Sequence, residues 1–260
     1  MDLGIDGRTA LVCASSHGLG RACAAALAAA GCRVVMNGRD EGDLEAAAEA
    51  IRRDSGAEVV TVAGDVGDAA VQAAMVEAAG GTVDILVNNN GGPPARGWRE
   101  IDAAAIQAGV AANMATPIAM VQRVIDGMTA QGWGRIVSIT SGSVKAPLPG
   151  LDLSSGARAG LHGFLAGVAR QVAGRGVTIN FLLPGAFDTR RIAALTERRA
   201  DEAGISKDEA LAERVSAIPA RRLGDPAEFG AACAFLCSAQ AGYVTGQSLL
   251  IDGGAYPGVL

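Results

Sequence analysis

Short runs of apolar and β-branched residues alternate along the chain with alanine-rich stretches of helical composition. About seven of these runs predict strands, and they are Thr9–Cys13, Arg33–Met36, Glu58–Val62, Asp84–Val87, Arg135–Ile139, Val177–Phe181 and Ser248–Ile251. The intervening stretches 21–30 and 41–53 predict helices. Because strands this apolar need helices on both faces, the pattern predicts a doubly wound parallel sheet of the α/β class. We expect one domain over residues 1–260.

One long stretch departs from this alternation. Residues 189–222 are polar, charged and helical in composition, and they follow the sixth predicted strand. Sheets of this kind bind ligands beyond the carboxyl ends of their strands, so we expect the stretch to form a substrate lid. A pair of surface helices with no special role is the alternative.

Composition and charge narrow the possible partners. Half of the 260 residues are apolar and the net charge is −5, which suits a large core and does not suit a nucleic-acid partner. No uninterrupted apolar run reaches the roughly 18–20 residues of a membrane span, and the N-terminus lacks the pattern of a signal peptide. We therefore expect a cytoplasmic protein. The five cysteines have no metal-binding spacing, so we expect buried packing and no metal site.

A glycine-containing loop joins the first predicted strand to the first helix. Gly18 and Gly20 in this loop permit close backbone approach to a pyrophosphate, which the helix N-terminus then stabilises. The predicted nucleotide contacts here are Ala14, Ser15, Ser16, His17, Gly18, Leu19 and Gly20.

The end of the second strand indicates which nucleotide is bound. An NAD site usually places an acid there, but the position holds Gly38 and is followed by Arg39. An arginine suits a 2′-phosphate, so we predict NADP(H). Asp40 could instead be the ribose acid, which leaves NAD(H) open.

Three further motifs follow later strands, and they are Asp65-Val66, Asn88-Asn-Asn-Gly91 and Pro184-Gly-Ala-Phe-Asp-Thr189. Together with the loop at 14–20, they resemble the short-chain dehydrogenase/reductase family over nearly the whole chain. The family's Gly-x-x-x-Gly-x-Gly loop corresponds to Ala14 through Gly20, with alanine in place of the first glycine, a change tolerable if φ stays negative. The resemblance implies a Rossmann fold and a homotetramer. It also implies further cofactor contacts at Asp65, Val66, Asn89, Gly91, Pro184, Gly185, Phe187 and Thr189.

The family's catalytic Asn, Ser, Tyr and Lys are only partly present. Asn113 and Ser141 match the first two, but Ser154 and Arg158 stand where Tyr and Lys belong. The chain's tyrosines, Tyr243 and Tyr256, both lie near the C-terminus.

The replacements remove the family's proton donor. Serine is shorter and far less acidic than tyrosine, and arginine does not lose its proton at ordinary pH, although Arg158 can still bond the nicotinamide ribose. Three substitutes are open: Lys145, Asp152 if burial raises its pKa, and a water held by Ser141, Ser154 and Asn113.

With Asn90-Gly-Gly-Pro-Pro94 and Ala157-Arg-Ala-Gly160 as matching features, the sequence resembles a divergent branch of the family that is similar to 3-oxoacyl carrier-protein reductases but lacks the full tetrad. This implies an NADP(H)-dependent oxidoreductase acting on a small carbonyl or alcohol, such as a 3-oxoacyl thioester, aldehyde or ketone. Two alternatives stay open. One is a nucleotide-binding protein that regulates or scaffolds without turnover, and the other is a non-redox lyase or isomerase.

Overall fold

A computed structural model of the protein describes residues 2–258. The strands are β1 (Thr9–Val12), β2 (Arg33–Gly38), β3 (Val59–Ala63), β4 (Ile85–Asn88), β5 (Gly134–Ile139), β6 (Val177–Pro184) and β7 (Ser248–Ile251). The α-helices are α1 (Gly18–Ala29), α2 (Glu41–Ser55), α3 (Ala69–Ala78), α4 (Ala103–Val110), α5 (Thr116–Gln131), α6 (Asp152–Val172), α7 (Arg190–Ala203), α8 (Lys207–Ser216) and α9 (Pro226–Cys237).

All seven strands form one parallel sheet in the order β3-β2-β1-β4-β5-β6-β7. The chain winds outward from β1 in one direction and then returns to β4 on the other side of it. Residue pairs such as Leu11 with Val35 and Leu11 with Leu86 fix the register at this reversal. The carboxyl ends of β1 and β4 therefore diverge into opposite crossovers, which leaves a crevice between their loops.

Apolar side chains cover both faces of the sheet. Buried residues of α1, α2 and α9, including Leu27, Leu44 and Phe229, pack on one face. Buried residues of α3, α5 and α6, including Met75, Met120 and Leu165, pack on the other. This two-sided cover explains why the strands are apolar throughout rather than alternating, and the predicted doubly wound single-domain fold is confirmed.

The observed helices and strands differ from the predicted ones mainly in where they begin and end. Helix α1 begins at Gly18, three residues before the predicted start, because the backbone is extended only as far as His17. Strand β6 continues to Pro184, beyond the predicted end at Phe181, since its partner β7 pairs with it that far.

The stretch predicted to be a lid contains two helices, α7 and α8, which pack against each other after β6. Whether it opens and closes over a substrate stays a prediction. All five cysteines are buried with free thiols.

The helical stretch Ala103–Gln131 is long and apolar enough to cross a membrane, with a mean hydropathy of 1.3. The sequence shows no uninterrupted apolar run of this length, because scattered polar residues interrupt the stretch. Of its apolar window 28% is buried, and Met120, Val124 and Met128 are among the residues that pack on the sheet. The cytoplasmic location stays a prediction.

Candidate functional site

A cleft of about 1640 Å³ opens at the carboxyl edge of the sheet. Its walls come from the loops after β1, β2, β4, β5 and β6, together with α7 and α8. Pockets for a single small molecule usually measure roughly 300–1,000 Å³, so this cleft has room for a dinucleotide and a second ligand.

The loop after β1 forms one end of the cleft and is shaped by its glycines. A Cβ on Gly20 would lie 2.4 Å from the Ala14 carbonyl oxygen, and Gly18 has a φ of +55°. The same carbonyl accepts a hydrogen bond of 3.0 Å from Nδ2 of Asn89, which ties the loop to the end of β4. The result is a backbone cradle at the N-terminus of α1, the kind of site that binds a diphosphate.

Ala14 does not have the negative φ that its tolerance was predicted to require. Its φ is +44°, in the left-handed region that glycine adopts far more easily than alanine. The backbone therefore keeps the conformation of a glycine position even though the residue has changed, and Ala14 carries strain.

Most of the predicted nucleotide-binding residues line the cleft, and the others support the loop from behind. Ser15 is fully buried and its hydroxyl bonds the Val12 carbonyl, so it stabilises the loop from behind. Gly20 likewise lies inside the helix packing. The remaining predicted residues that line the cleft are Ala14, Ser16, His17, Gly18, Leu19, Arg39, Asp65, Val66, Asn89, Gly91, Arg158, Pro184, Gly185, Phe187 and Thr189.

The end of β2 offers an arginine and no free acid. Arg39 is exposed on the wall of the cleft. A Cβ on Gly38 would lie 3.0 Å from the Ser16 side chain, so an acidic side chain there would have to displace Ser16. The Asp40 carboxylate accepts a 2.8 Å hydrogen bond from the Asp43 amide and caps α2. These features suit a 2′-phosphate better than a bare ribose.

At the other end of the cleft, Ser154 and Arg158 lie one turn apart on the buried face of α6. Arg158 Nε donates to Ser154 Oγ at 3.0 Å, and Arg158 Nη1 donates to the Ile139 carbonyl at 2.9 Å. Burial, and to a lesser extent the charge of Arg191, lowers the pKa of Arg158 to about 10, so the guanidinium stays charged near neutral pH. The structure therefore holds a fixed positive charge at the base of the cleft.

Asn113 lies behind this pair. It belongs to a π-helical segment, Ala111–Ala115, which joins α4 to α5. Its Oδ1 accepts from Ser154 Oγ at 3.3 Å, and its Nδ2 donates to the Gly91 carbonyl at 3.1 Å. Asn113 itself does not line the large cleft, so it links the serine to the loop after β4.

Ser141 ends a short chain of hydroxyl groups that sequence reasoning missed. Ser155 Oγ donates to Ser143 Oγ at 2.9 Å, and Ser143 Oγ donates to Ser141 Oγ at 2.9 Å. The Ser143 amide also donates to Ser141 Oγ, and Ser141 lines the cleft. The sequence signal for this hydroxyl chain is the adjacent pair Ser154-Ser155 together with the Ser-Gly-Ser at 141–143.

The other two proposed proton donors are less well placed. Lys145 does not line the cleft, and its ammonium lies 5.9 Å from the centroid of the Tyr256 ring, which does. Asp152 is exposed, so the burial that its role as an acid required is absent. Tyr256, set aside because it lies far along the chain, reaches the cleft wall through the segment after β7.

His162 follows Arg158 by one turn of α6 and faces the sheet. Its ring stacks on Phe181 with centroids 3.9 Å apart. One ring nitrogen lies 2.9 Å from Thr140 Oγ1 and the other 3.1 Å from Ser248 Oγ. Burial, followed by the charge of Arg158, lowers the pKa of His162 to about 4, so this imidazole is neutral at physiological pH.

Comparison with known proteins shows that the chain is similar to reductases. The family model described as enoyl-(acyl carrier protein) reductase matches residues 13–256. Nodulation protein G of Azospirillum brasilense is 35% identical over 250 residues, which are 95% of this chain and 97% of that protein. The 3-oxoacyl-(acyl-carrier-protein) reductase of Vibrio cholerae is 32% identical over 264 residues, covering 98% of this chain and 99% of that one.

A solved structure shows the same architecture. L-Sorbose reductase from Gluconobacter frateurii, complexed with NADPH and L-sorbose, superposes with a TM-score of 0.94 at 27% identity and covers 100% of both chains.

Proposed function

Since the chain belongs to the short-chain dehydrogenase/reductase family, we propose that it is an NADP(H)-dependent oxidoreductase that interconverts a small carbonyl compound and its alcohol. The observation that carries the proposal is that one cleft is lined both by the charged Arg158 and by Ser141, whose hydroxyl oxygen accepts from Ser143. When bound, the reduced nicotinamide supplies a hydride to the carbonyl carbon. The chain must then stabilise and protonate the carbonyl oxygen.

The residues present fit a phosphorylated dinucleotide. The backbone of the loop 14–20 would hold the diphosphate, and Arg39 would pair with the 2′-phosphate. Asp65 and Val66 would contact the adenine, while Asn89, Gly91 and Arg158 would hold the nicotinamide ribose. The segment from Pro184 to Thr189 would position the nicotinamide. The NADPH complex of L-sorbose reductase supports this assignment.

We assign charge stabilisation to Arg158 and orientation to Ser141. A fixed cation in a partly desolvated cleft stabilises negative charge that develops on the carbonyl oxygen. Ser141 accepts from both the amide and the hydroxyl of Ser143, so it would donate its own proton to that oxygen. Ser154 and Asn113 would keep the Arg158 guanidinium in place.

The proton would reach the oxygen from water through the hydroxyl chain. Ser155 is partly exposed and passes a hydrogen bond to Ser143 and on to Ser141. Proton transfer along this chain replaces the missing tyrosine without requiring an acidic side chain. Lys145 is the competing donor, and its removal tests the assignment.

We also propose a homotetramer, as the family resemblance implies. Large apolar side chains are exposed on separate faces, including Trp98, Phe164 and Phe235 at 63, 46 and 42%. Burial of several such side chains between copies would stabilise an assembly. Light scattering coupled to size exclusion tests this, and a monomer at micromolar concentration contradicts it.

The test of function is NADPH consumption over a panel of aldehydes, ketones and 3-oxoacyl thioesters, with NADPH and NADH binding measured alongside. We expect turnover that falls about ten- to a hundredfold in Ser141→Ala and is unchanged in Lys145→Ala. If Lys145→Ala loses activity instead, the lysine is the donor. NADPH binding without consumption of any compound would favour the nucleotide-binding alternative, and product formation without net redox change would favour a lyase or isomerase.

A further inference from the structure

Arg191, the second residue of α7, extends over the loop that follows β4. A Cβ on Gly92 would lie 3.0 Å from Arg191 Nη1 and 3.1 Å from Nη2. Arg191 lines the cleft, and it makes no hydrogen bond or ion pair with another of residues 2–258. Arg191 is exposed on the wall of the cleft, and its guanidinium lies over Gly92 with its donors unused.

Arg158 reaches the same loop from below. Its Nη2 lies 3.4 Å from the carbonyl oxygen of Asn90, two residues before Gly92. Arg158 is 8% exposed and forms no ion pair within the described part of the chain. Two guanidinium groups thus converge on residues 90–92, one from the core and one from the predicted lid.

The acidic residues on the cleft wall do not neutralise this pair. Asp65 and Asp68 accept amide protons of their own loops, and Glu213 pairs with Arg199. Asp252 accepts the amides of Gly254 and Tyr256. Two like charges near each other without a counter-charge are costly, and a bound anion removes that cost.

The position of Arg191 in its helix adds to the cost. Arg190 and Arg191 occupy the first turn of α7, which contains no acid. Cations at a helix N-terminus are unfavourable, because they lie at the positive end of the helix macrodipole. Arg190 turns towards Asp43 on α2, at 3.6 Å, and so faces the nucleotide end. Arg191 alone faces the end where the carbonyl would react.

We infer that Arg191 binds a carboxylate on the substrate, with the charge of the buried Arg158 adding to the attraction, so that the preferred substrate is an oxo acid and not its neutral ester. The inference rests on the proposed function and specifies its substrate class. Guanidinium groups bind carboxylates through paired, charge-assisted hydrogen bonds, which the fork of Arg191 can supply, whereas the nitrogens of Arg158 already donate to Ser154 and to the carbonyls of Ile139 and Asn90. A carboxylate held there would also fix the orientation of a neighbouring carbonyl near Ser141.

The experiment compares oxo acids with their ethyl esters at saturating NADPH. The pairs are pyruvate, acetoacetate and 4-oxopentanoate with ethyl pyruvate, ethyl acetoacetate and ethyl 4-oxopentanoate. We expect kcat/KM for at least one acid to exceed that of its ester by tenfold or more. Arg191→Gln should lower the value for the acid about ten- to a hundredfold and leave the ester within threefold.

Two variants serve as controls. Arg198→Gln removes the same charge from the exposed face of the same helix, where Arg198 pairs with Glu202, and should leave the acid-to-ester ratio unchanged. Arg191→Lys keeps the charge and should retain part of the preference. Binding of oxamate to the NADPH-loaded protein, followed by nicotinamide fluorescence, gives a readout that needs no turnover, and its Kd should rise about tenfold or more in Arg191→Gln.

The outcomes separate this inference from the proposed function. Esters reduced as well as the acids overturn the carboxylate site and leave the reductase intact. If Arg191→Gln weakens NADPH binding but leaves the acid-to-ester ratio of kcat/KM unchanged, the arginine binds the cofactor, and the carboxylate site is also overturned. If no compound is reduced but oxamate binds in an Arg191-dependent way, the site stands and the redox proposal fails. Absence of both reduction and oxamate binding contradicts both.

Discussion

The two ends of the cleft are built from different parts of the chain. At the nucleotide end, the backbone of the loop 14–20, including Gly18, makes much of the surface, and Arg39 adds a charged side chain. At the reacting end, side chains of α6 and of the loop after β5 make the surface, and Ser154 and Arg158 are predicted to occupy the positions of two catalytic groups of the family. A site made by backbone tolerates Ala14 in place of glycine, whereas a site made by side chains changes its chemistry when they change.

Replacement of Arg158 by methionine should have the largest effect, and it should act at the reacting end of the cleft. Methionine fills similar volume but removes the charge and leaves the Ile139 carbonyl without its 2.9 Å donor. We expect NADPH-dependent turnover to fall more than a hundredfold, because the charge that stabilises the developing oxyanion is lost. NADPH affinity should weaken by less than tenfold, since the loop 14–20 and Arg39 remain.

Steady-state rates and a fluorescence titration of NADPH measure the two effects separately. Arg158→Lys is the matched control, because it keeps a positive charge at the position and should retain more activity than the methionine variant. Turnover of Arg158→Met at the wild-type rate would show that the guanidinium takes no part in the chemistry.

Replacement of Arg39 by glutamine should act on the nucleotide end alone. Loss of the guanidinium should raise the Kd for NADPH about tenfold or more and leave the Kd for NADH within twofold, because only NADPH carries the 2′-phosphate. Isothermal titration with both cofactors checks this. Asp40→Asn is the control for the alternative assignment. If that variant weakens NADH binding and Arg39→Gln weakens neither, the ribose partner is the aspartate.

The nucleotide end could be predicted from sequence more completely than the reacting end. Apolar runs place the strands, and a strand followed by Gly18 and Gly20 places the cradle, because both depend on neighbours in the chain. The chain of Ser155, Ser143 and Ser141, and the place of Arg191 over Gly92, depend on packing between distant elements. Asp152 was a candidate only if buried, and burial is a property of the folded molecule.

The buried imidazole of His162 should make stability depend on pH. Its pKa is lowered from 6.5 to about 4, so between these values the unfolded chain binds a proton that the folded chain does not. The stability due to the neutral ring is present above pH 6.5 and is lost as pH falls towards 4. After allowance for partial solvent contact, we expect a loss of about 1–2 kcal/mol between pH 7 and pH 5.

Urea unfolding at the two pH values, at one protein concentration, measures this loss. His162→Gln cannot titrate in this range but can still bond Thr140 and Ser248, so its stability should change less between the same pH values. An equal loss in both proteins would assign the pH dependence to other groups.

The smallest expected effect concerns the strained Ala14. Glycine adopts its φ of +44° without steric cost, so Ala14→Gly should raise the free energy of unfolding by about 0.5–1 kcal/mol, after the greater freedom of glycine in the unfolded chain is subtracted. Ala46→Gly is the matched control, because Ala46 lies exposed within α2 and the same substitution there should destabilise by about 1 kcal/mol. Opposite signs for one chemical change would show that backbone conformation, and not composition, sets the cost.

Ala14→Gly should leave the Kd for NADPH within twofold, because the cradle already has the glycine-type conformation. A large change in either direction would mean that the methyl group itself contacts the cofactor.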